Sequence, residues 1–235
     1  EKGKTDKNGE LTVPEVEQTE RHGIYIVGYT DGTFGPSRSM TRAEAAAIFA
    51  RLLAEKNGDT ISTAANTKFA DIPAHAWYSG YVKYLSNNGI TYGKSKTIFA
   101  PNDAITRAEF TTMAVRFFDV YGDGDAEIME QFSGFNDVSS GDWAAEYIKY
   151  AALHGWINGY GDGSFHADRE INRAEVVTIV NRLLGREADE DYIADNLRKL
   201  NTFPDVSRKH WAYYAVMEAA NAHTAVLDES ESWSK

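Results

Sequence analysis

Cysteine is absent from the 235-residue chain, which excludes disulfides, thiolate metal sites and a cysteine nucleophile together. No apolar run approaches the ~20 residues of a membrane span, and the first residues lack a signal-peptide pattern. The sequence is therefore expected to be one region of something larger, with no membrane partner. Cations are scarce as well: Lys+Arg number 24 against Asp+Glu 35, a formal net charge of −11. Nucleic acid and anionic membranes are bound by clustered cations. Neither is expected as a partner, and any bound anion must be held locally. The length suffices to bury a core in one unit or in two or three small ones.

What the chain has is repetition, which must be read before local structure. Thr41-Arg42-Ala43-Glu44 returns as Thr106-Arg107-Ala108-Glu109 and as Asn172-Arg173-Ala174-Glu175. An aromatic-Asp-aromatic set recurs in step: Phe69, Asp71 and Trp77; Phe135, Asp137 and Trp143; Phe203, Asp205 and Trp211. Between the landmarks stand Gly28, Gly93 and Gly159, each followed six residues on by Phe34, Phe99 and Phe165.

Each unit reads as helix, loop, helix. The first helix is predicted over 77–88, 143–154 and 211–222, and the second follows the tetrapeptide. Its apolar stripe is equivalent in all copies: Ala45, Ile48, Phe49 and Leu52; Phe110, Met113, Ala114 and Phe117; Val176, Ile179, Val180 and Leu183. That spacing buries one face. Glycine-aspartate breakers at Gly58 and at 122–125 separate the units.

The expected organisation is a lead-in over 1–22, the second half of unit one over 23–58, unit two over 66–122 and unit three over 132–186. A bridging helix follows over 187–200, and a closing half-unit over 201–225 packs on unit one. Half-units left alone would expose apolar faces. The predicted fold is therefore mostly α: a pseudo-threefold ring of three helix-loop-helix repeats, the first completed by the C-terminal helix, folding as a monomer.

Thr-x-x-Glu before an apolar helix is a capping box, so Thr41 with Glu44, Thr106 with Glu109 and Asn172 with Glu175 are expected as structural caps. Arg42, Arg107 and Arg173 lack such an account. They occupy the first helical turn, where a cation opposes the macrodipole by ~0.3–1 kcal/mol. A compensating partner is expected: an external carboxylate beside free N–H groups, or an internal salt bridge with Asp71, Asp137 or Asp205, aspartates that equally suit turn or cap positions. Trp77, Trp143 and Trp211 suit either a carbohydrate platform or a packing anchor. Gly28, Gly93 and Gly159 permit positive φ or close approach of a ligand, or simply form turns.

With Tyr29-Thr30-Asp31-Gly32-Thr33-Phe34-Gly35-Pro36 followed by Met40-Thr41-Arg42-Ala43-Glu44, the sequence closely resembles the S-layer homology (SLH) family over most of 23–223. The resemblance implies a pseudo-threefold helical trimer of repeats with grooves between neighbours. It further implies a secreted bacterial surface protein held non-covalently by a secondary cell-wall polysaccharide, often bearing pyruvate ketals. On that view Arg42, Arg107 and Arg173 grip the ketal carboxylate, with Gly28, Gly93, Gly159, Trp77, Trp143 and Trp211 shaping the grooves. Asp71, Asp137 and Asp205 are grouped with them as ligand-binding candidates. The copies differ: 93–99 loses the Asp-Gly turn kept at Asp31-Gly32 and Asp162-Gly163, so an altered or silent groove is expected there, and Ala167 stands where Pro36 and Pro101 do.

Rival readings are weighed against this one. His22, His75, His154, His166, His210 and His223 show no paired metal spacing, and no G-x-S-x-G or P-loop occurs. No catalytic residue, metal or cofactor is expected. Asp6 to Glu15 matches the later part of an EF-hand loop, but Lys4 occupies the first ligand position, which argues against calcium. A structural or protein-binding scaffold, or a peptidoglycan-binding module, remains the alternative.

Overall fold

A capping box followed by an apolar stripe at helical spacing starts each long helix of the computed structural model, which describes residues 18–121, 132–227 and 231–234. The EF-hand-like stretch at 6–15 and the breaker at 122–125 lie outside those residues. The first long helix is α1 (Arg42–Asn57); α2 (Ser79–Asn87) and α3 (Arg107–Tyr121) follow. The chain continues through α4 (Ala145–Leu153), α5 (Arg173–Leu184), α6 (Glu190–Asn196) and α7 (Tyr213–Ala220). Three short strands, β1 (Gln18–His22), β2 (His223–Leu227) and β3 (Glu231–Ser234), complete it. The protein is thus mostly α, and among the described residues no helix is long and apolar enough to cross a membrane.

All three apolar stripes of α1, α3 and α5 are buried. α1 packs on α3 and α3 on α5, with the Phe49 ring tilted against Phe110 at 5.3 Å and Phe117 at 4.9 Å. The shorter helices cover this centre: α2 packs on α1, α4 on α3 and α7 on α5. Before each long helix the units are stitched by backbone. The Met40 N–H donates to the Ile171 carbonyl at 2.9 Å, Ile171 to Ile105 at 3.0 Å and Ile105 back to Met40 at 2.9 Å, a closed cycle.

The C-terminal segment also engages residues 25–35. The Tyr25 N–H donates to the Ala219 carbonyl, and the Phe203 ring lies 5.3 Å from that of Phe34. Residues 187–200 supply α6 and a single 3-10 turn.

Two features depart from the sequence expectation. Residues 18–22, read as part of a flexible lead-in, form β1, and the closing helix ends at Ala220, where the chain extends into β2. The three strands make an antiparallel sheet in the order β1-β2-β3, with His22 opposite His223 and Ala225 opposite Trp233. Strands this short and polar carry little period-two signal, and β1 finds its partner only some two hundred residues later.

Candidate functional site

The helix N-termini are not free. Arg42 and Ala43 donate their N–H groups to the Asp103 and Pro101 carbonyls. Arg107 and Ala108 donate to Arg169 and Ala167, and Arg173 and Ala174 to Arg38 and Pro36. The next donor of each helix is taken by its cap: Glu44 N–H by Thr41, Glu109 N–H by Thr106 and Glu175 N–H by Asn172. The glutamates return the bond through Oε2 to the cap N–H at 2.8, 3.1 and 3.0 Å, so all three capping boxes are complete. An anion seated directly on free helical N–H groups is therefore ruled out by the fold.

The buried arginines find their compensation inside the chain. Nε of Arg42, Arg107 and Arg173 donates to the carbonyl of Phe99, Phe165 and Phe34 at 2.8, 2.9 and 2.8 Å. Arg42 pairs with Glu109 at 3.0 Å, Arg107 with Glu175 at 3.2 Å and Arg173 with Glu44 at 3.9 Å. The partner is thus the cap glutamate of the neighbouring unit, through Oε1, and not Asp71, Asp137 or Asp205. Burial pulls the pKa of Arg107 and Arg173 below the ordinary guanidinium value. Facing Glu175 with Tyr160, and Glu44 with Tyr29, opposes that pull.

Asp71, Asp137 and Asp205 serve another purpose. Asp71 accepts the Phe99 and Ala100 N–H groups at 2.9 and 2.6 Å, and Asp137 those of Phe165 and His166, both at 2.7 Å. Asp205 accepts Phe34 and Gly35 at 2.9 and 2.7 Å. These carboxylates hold the loops that present the Phe carbonyls to the arginines, and they line none of the cavities beside them. The glycines are explained by close packing. A Cβ on Gly28, Gly93 or Gly159 would stand 2.5 Å from the ring of Phe203, Phe69 or Phe135. Only Gly93 among them also has positive φ, +80°.

Beside each arginine lies an open cavity. The first, about 270 Å³, is lined by Arg107, Gly159, Tyr160, Glu175, Arg182 and Trp211 among others. The second, about 230 Å³, joins Arg173, Gly28, Tyr29, Glu44, Arg51 and Trp77. The third, about 90 Å³, joins Arg42, Gly93, Tyr92, Glu109, Arg116 and Trp143. The structure therefore brings the predicted arginines, glycines and tryptophans together in three equivalent places. The tryptophans sit in the turns just before α2, α4 and α7 and are 55 %, 63 % and 65 % exposed. Burial would favour a packing anchor; this exposure favours a platform.

Sequence reasoning passed over Arg51, Arg116 and Arg182. Each stands nine residues after its unit's tetrapeptide arginine, a spacing that places it two and a half turns along the same helix. Every cavity then carries two guanidiniums against one carboxylate, a local positive excess in an acidic chain. The smallest cavity is narrow because Arg116 lies between the Tyr92 and Tyr147 rings, 4.8 and 4.9 Å away, and donates to the Tyr147 hydroxyl. Ala215 occupies the position equivalent to Tyr147 in the unit whose Trp211 lines the first cavity. The absent Asp-Gly turn is not the cause, since Ser95 Oγ accepts the Thr97 and Ile98 N–H groups much as Asp31 and Asp162 hold their own loops. Lys94 stands where Tyr29 and Tyr160 do in the other units, whose rings cover Arg173 and Arg107 at 4.7 and 5.1 Å.

A family model for the S-layer homology domain matches residues 12–46, 68–111 and 134–177. Among curated proteins, Cell surface glycoprotein 1 of Acetivibrio thermocellus is 35% identical over 223 residues, 91% of this chain and 9% of that protein. The Cellulosome-anchoring protein of the same organism is 31% identical over 229 residues, 97% of this chain and 48% of its own length. The Surface-layer 125 kDa protein of Lysinibacillus sphaericus is 34% identical over 163 residues, 68% of this chain and 13% of its own. The chain thus spans less than half the length of these relatives.

Proposed function

The chain belongs to the S-layer homology family, a secreted, cell-wall-associated module of the cell surface, and from that premise we propose that it anchors a larger protein by holding an acidic secondary cell-wall polysaccharide in its three grooves. Such a module needs no catalytic group. The reading rests on the convergence, three times over, of an exposed tryptophan with two arginines and a single carboxylate. A sugar ring stacks on the indole face while a carboxylate such as a pyruvate ketal meets the guanidiniums.

Roles divide accordingly. Arg42, Arg107 and Arg173, held rigidly by the Phe carbonyls, form the floor of each groove. Arg51, Arg116 and Arg182 at the rim supply the charge that the cap glutamates leave uncompensated. Gly28, Gly93 and Gly159 let the loop backbone lie close to the ligand, and Asp71, Asp137 and Asp205 position those loops. In this reading the units at 23–58, 66–122 and 132–186 form a pseudo-threefold ring within a monomer, with 201–225 completing the first. The cycle through Met40, Ile105 and Ile171 and the docking of Phe203 on Phe34 support it. The grooves of about 270 and 230 Å³ are the working ones, and the one narrowed by Arg116 binds weakly.

The test is sedimentation with purified wall sacculi, before and after the secondary polymer is stripped. Binding should vanish with the polymer. It should fall to the weak remainder of the third groove in an Arg51→Gln, Arg182→Gln, Trp77→Ala, Trp211→Ala chain that melts like the parent. Retention on stripped sacculi would point to peptidoglycan or a protein partner and overturn the proposal.

A further inference from the structure

Four side chains that the grooves do not use converge where the strands meet the end of α7. His22 closes β1, His223 opens β2, Glu231 opens β3 and Glu218 comes from the last turn of α7. Each is at most 5 % exposed in its side chain. One donor atom of each lies within 4.8 Å of the other three. His22 Nδ1 stands 3.1 Å from His223 Nε2, 3.3 Å from a Glu218 oxygen and 3.2 Å from Glu231 Oε1. His223 Nε2 stands 3.3 Å from the second Glu218 oxygen and 3.4 Å from Glu231 Oε1.

Protons alone serve this arrangement poorly. An imidazole nitrogen carries one lone pair or one N–H, so it satisfies one of three such neighbours. If both facing nitrogens are protonated, two N–H groups oppose each other at 3.1 Å. Neither oxygen of the buried Glu218 takes part in a well-formed hydrogen bond, and a buried charge left so is strongly disfavoured. A tetrahedral cation bonded at about 2.0–2.1 Å separates its ligands by about 3.3 Å; the two imidazole nitrogens, Glu231 Oε1 and one Glu218 oxygen already give four such separations of 3.1–3.4 Å within a set no wider than 4.8 Å, so a small turn of the Glu218 carboxylate completes the shell. Two carboxylates, two neutral imidazoles and the buried Arg186 guanidinium that acts on His22 leave a net negative charge for a cation to meet.

The surroundings are built for ligation. His223 Nδ1 faces the Asn221 carbonyl at 3.0 Å and donates to it, so in the neutral ring Nε2 keeps its lone pair. Glu231 Oε2 accepts the Glu187 N–H at 2.8 Å, and Trp233 stacks on His223 at 3.8 Å. We propose that His22, Glu218, His223 and Glu231 bind one divalent transition-metal ion, zinc being the best match, and that the ion staples β1 to the C-terminal strands. Four protein ligands in a buried setting leave no open position, so the site is structural. It closes a loop of 201 residues, a restriction that chiefly penalises the unfolded chain. The staple is independent of what the grooves hold.

Equilibrium dialysis of the chelator-stripped chain against Zn2+ should recover about one zinc per chain. At roughly 100-fold saturation zinc should raise the thermal midpoint by about 5–10 °C, and Mg2+ should not. His22→Gln should abolish both effects, and Glu231→Gln, which keeps the side-chain shape, should weaken zinc at least about tenfold. If the histidine variant does not fold, the glutamate variant decides alone. No zinc uptake by the parent, equal stabilisation by Mg2+, or unchanged affinity in Glu231→Gln overturns the proposal.

Discussion

Replacing Asp205 by alanine tests how the chain is closed. Its carboxylate accepts the Phe34 and Gly35 N–H groups at 2.9 and 2.7 Å across about 170 residues of chain. A hydrogen bond to a charged group contributes ~1.5–3 kcal/mol, and partial exposure places both at the low end, so losing the pair costs about 3 kcal/mol. In a chain of this size each kcal/mol moves the melting temperature by about 2–4 °C, so Asp205→Ala should melt about 6–12 °C lower in calorimetry. Asp205→Asn should fall between the two, because an amide keeps one acceptor oxygen and turns a donor toward the second N–H. The loosened loop should also free the Phe203 ring, visible as broadened aromatic resonances. An alanine variant melting within about 2 °C of the parent would refute the idea that this carboxylate secures the C-terminal segment.

Trp211→Ala should leave the melting temperature nearly unchanged, because the ring is 65 % exposed, while weakening wall polysaccharide by about 1–2 kcal/mol in titration calorimetry. Gly159→Ala should instead lower stability: its Cβ meets the Phe135 ring at 2.5 Å and the Ser164 carbonyl at 2.7 Å, an overpacking cost of about 1–3 kcal/mol readable in urea denaturation. For Asp137, burial pushes the carboxyl pKa up, but the Phe165 and His166 N–H donors outweigh it and hold it below the usual 3.8. A depressed carboxylate stabilises the fold above its unfolded pKa and loses that contribution as pH falls through the folded one. Denaturation midpoints of Asp137→Asn should therefore be less sensitive to acid below pH 3.8 than those of the parent.

The repeated tetrapeptides, their stripes and their caps were legible because each is a local pattern whose geometry follows from helical spacing. The second duty of Glu44, Glu109 and Glu175 was not. One oxygen closes a cap, which the sequence announces, and the other reaches an arginine of a different unit, which depends on how units dock. Arg51, Arg116 and Arg182 carried a visible signal, a constant offset from the groove arginines, but on helix surfaces arginine is commonplace and the offset alone says nothing of a cavity. The aspartates were legible only as two alternatives, a partner for the arginine or a turn residue, and it is the turn role that their oxygens fill by binding loop backbone. His22 and His223 were invisible as a pair, since short-range metal spacing is the only kind a linear scan detects.

Because each long helix takes its first two N–H partners from the loop of another unit, around a cycle through Met40, Ile105 and Ile171, no third of the molecule is self-sufficient. Melting one share would strip its neighbours of hydrogen-bond partners, so loss of structure should spread to the whole in a single concerted step. An anchor organised in this way does not wear out by stages; it holds its load or lets go.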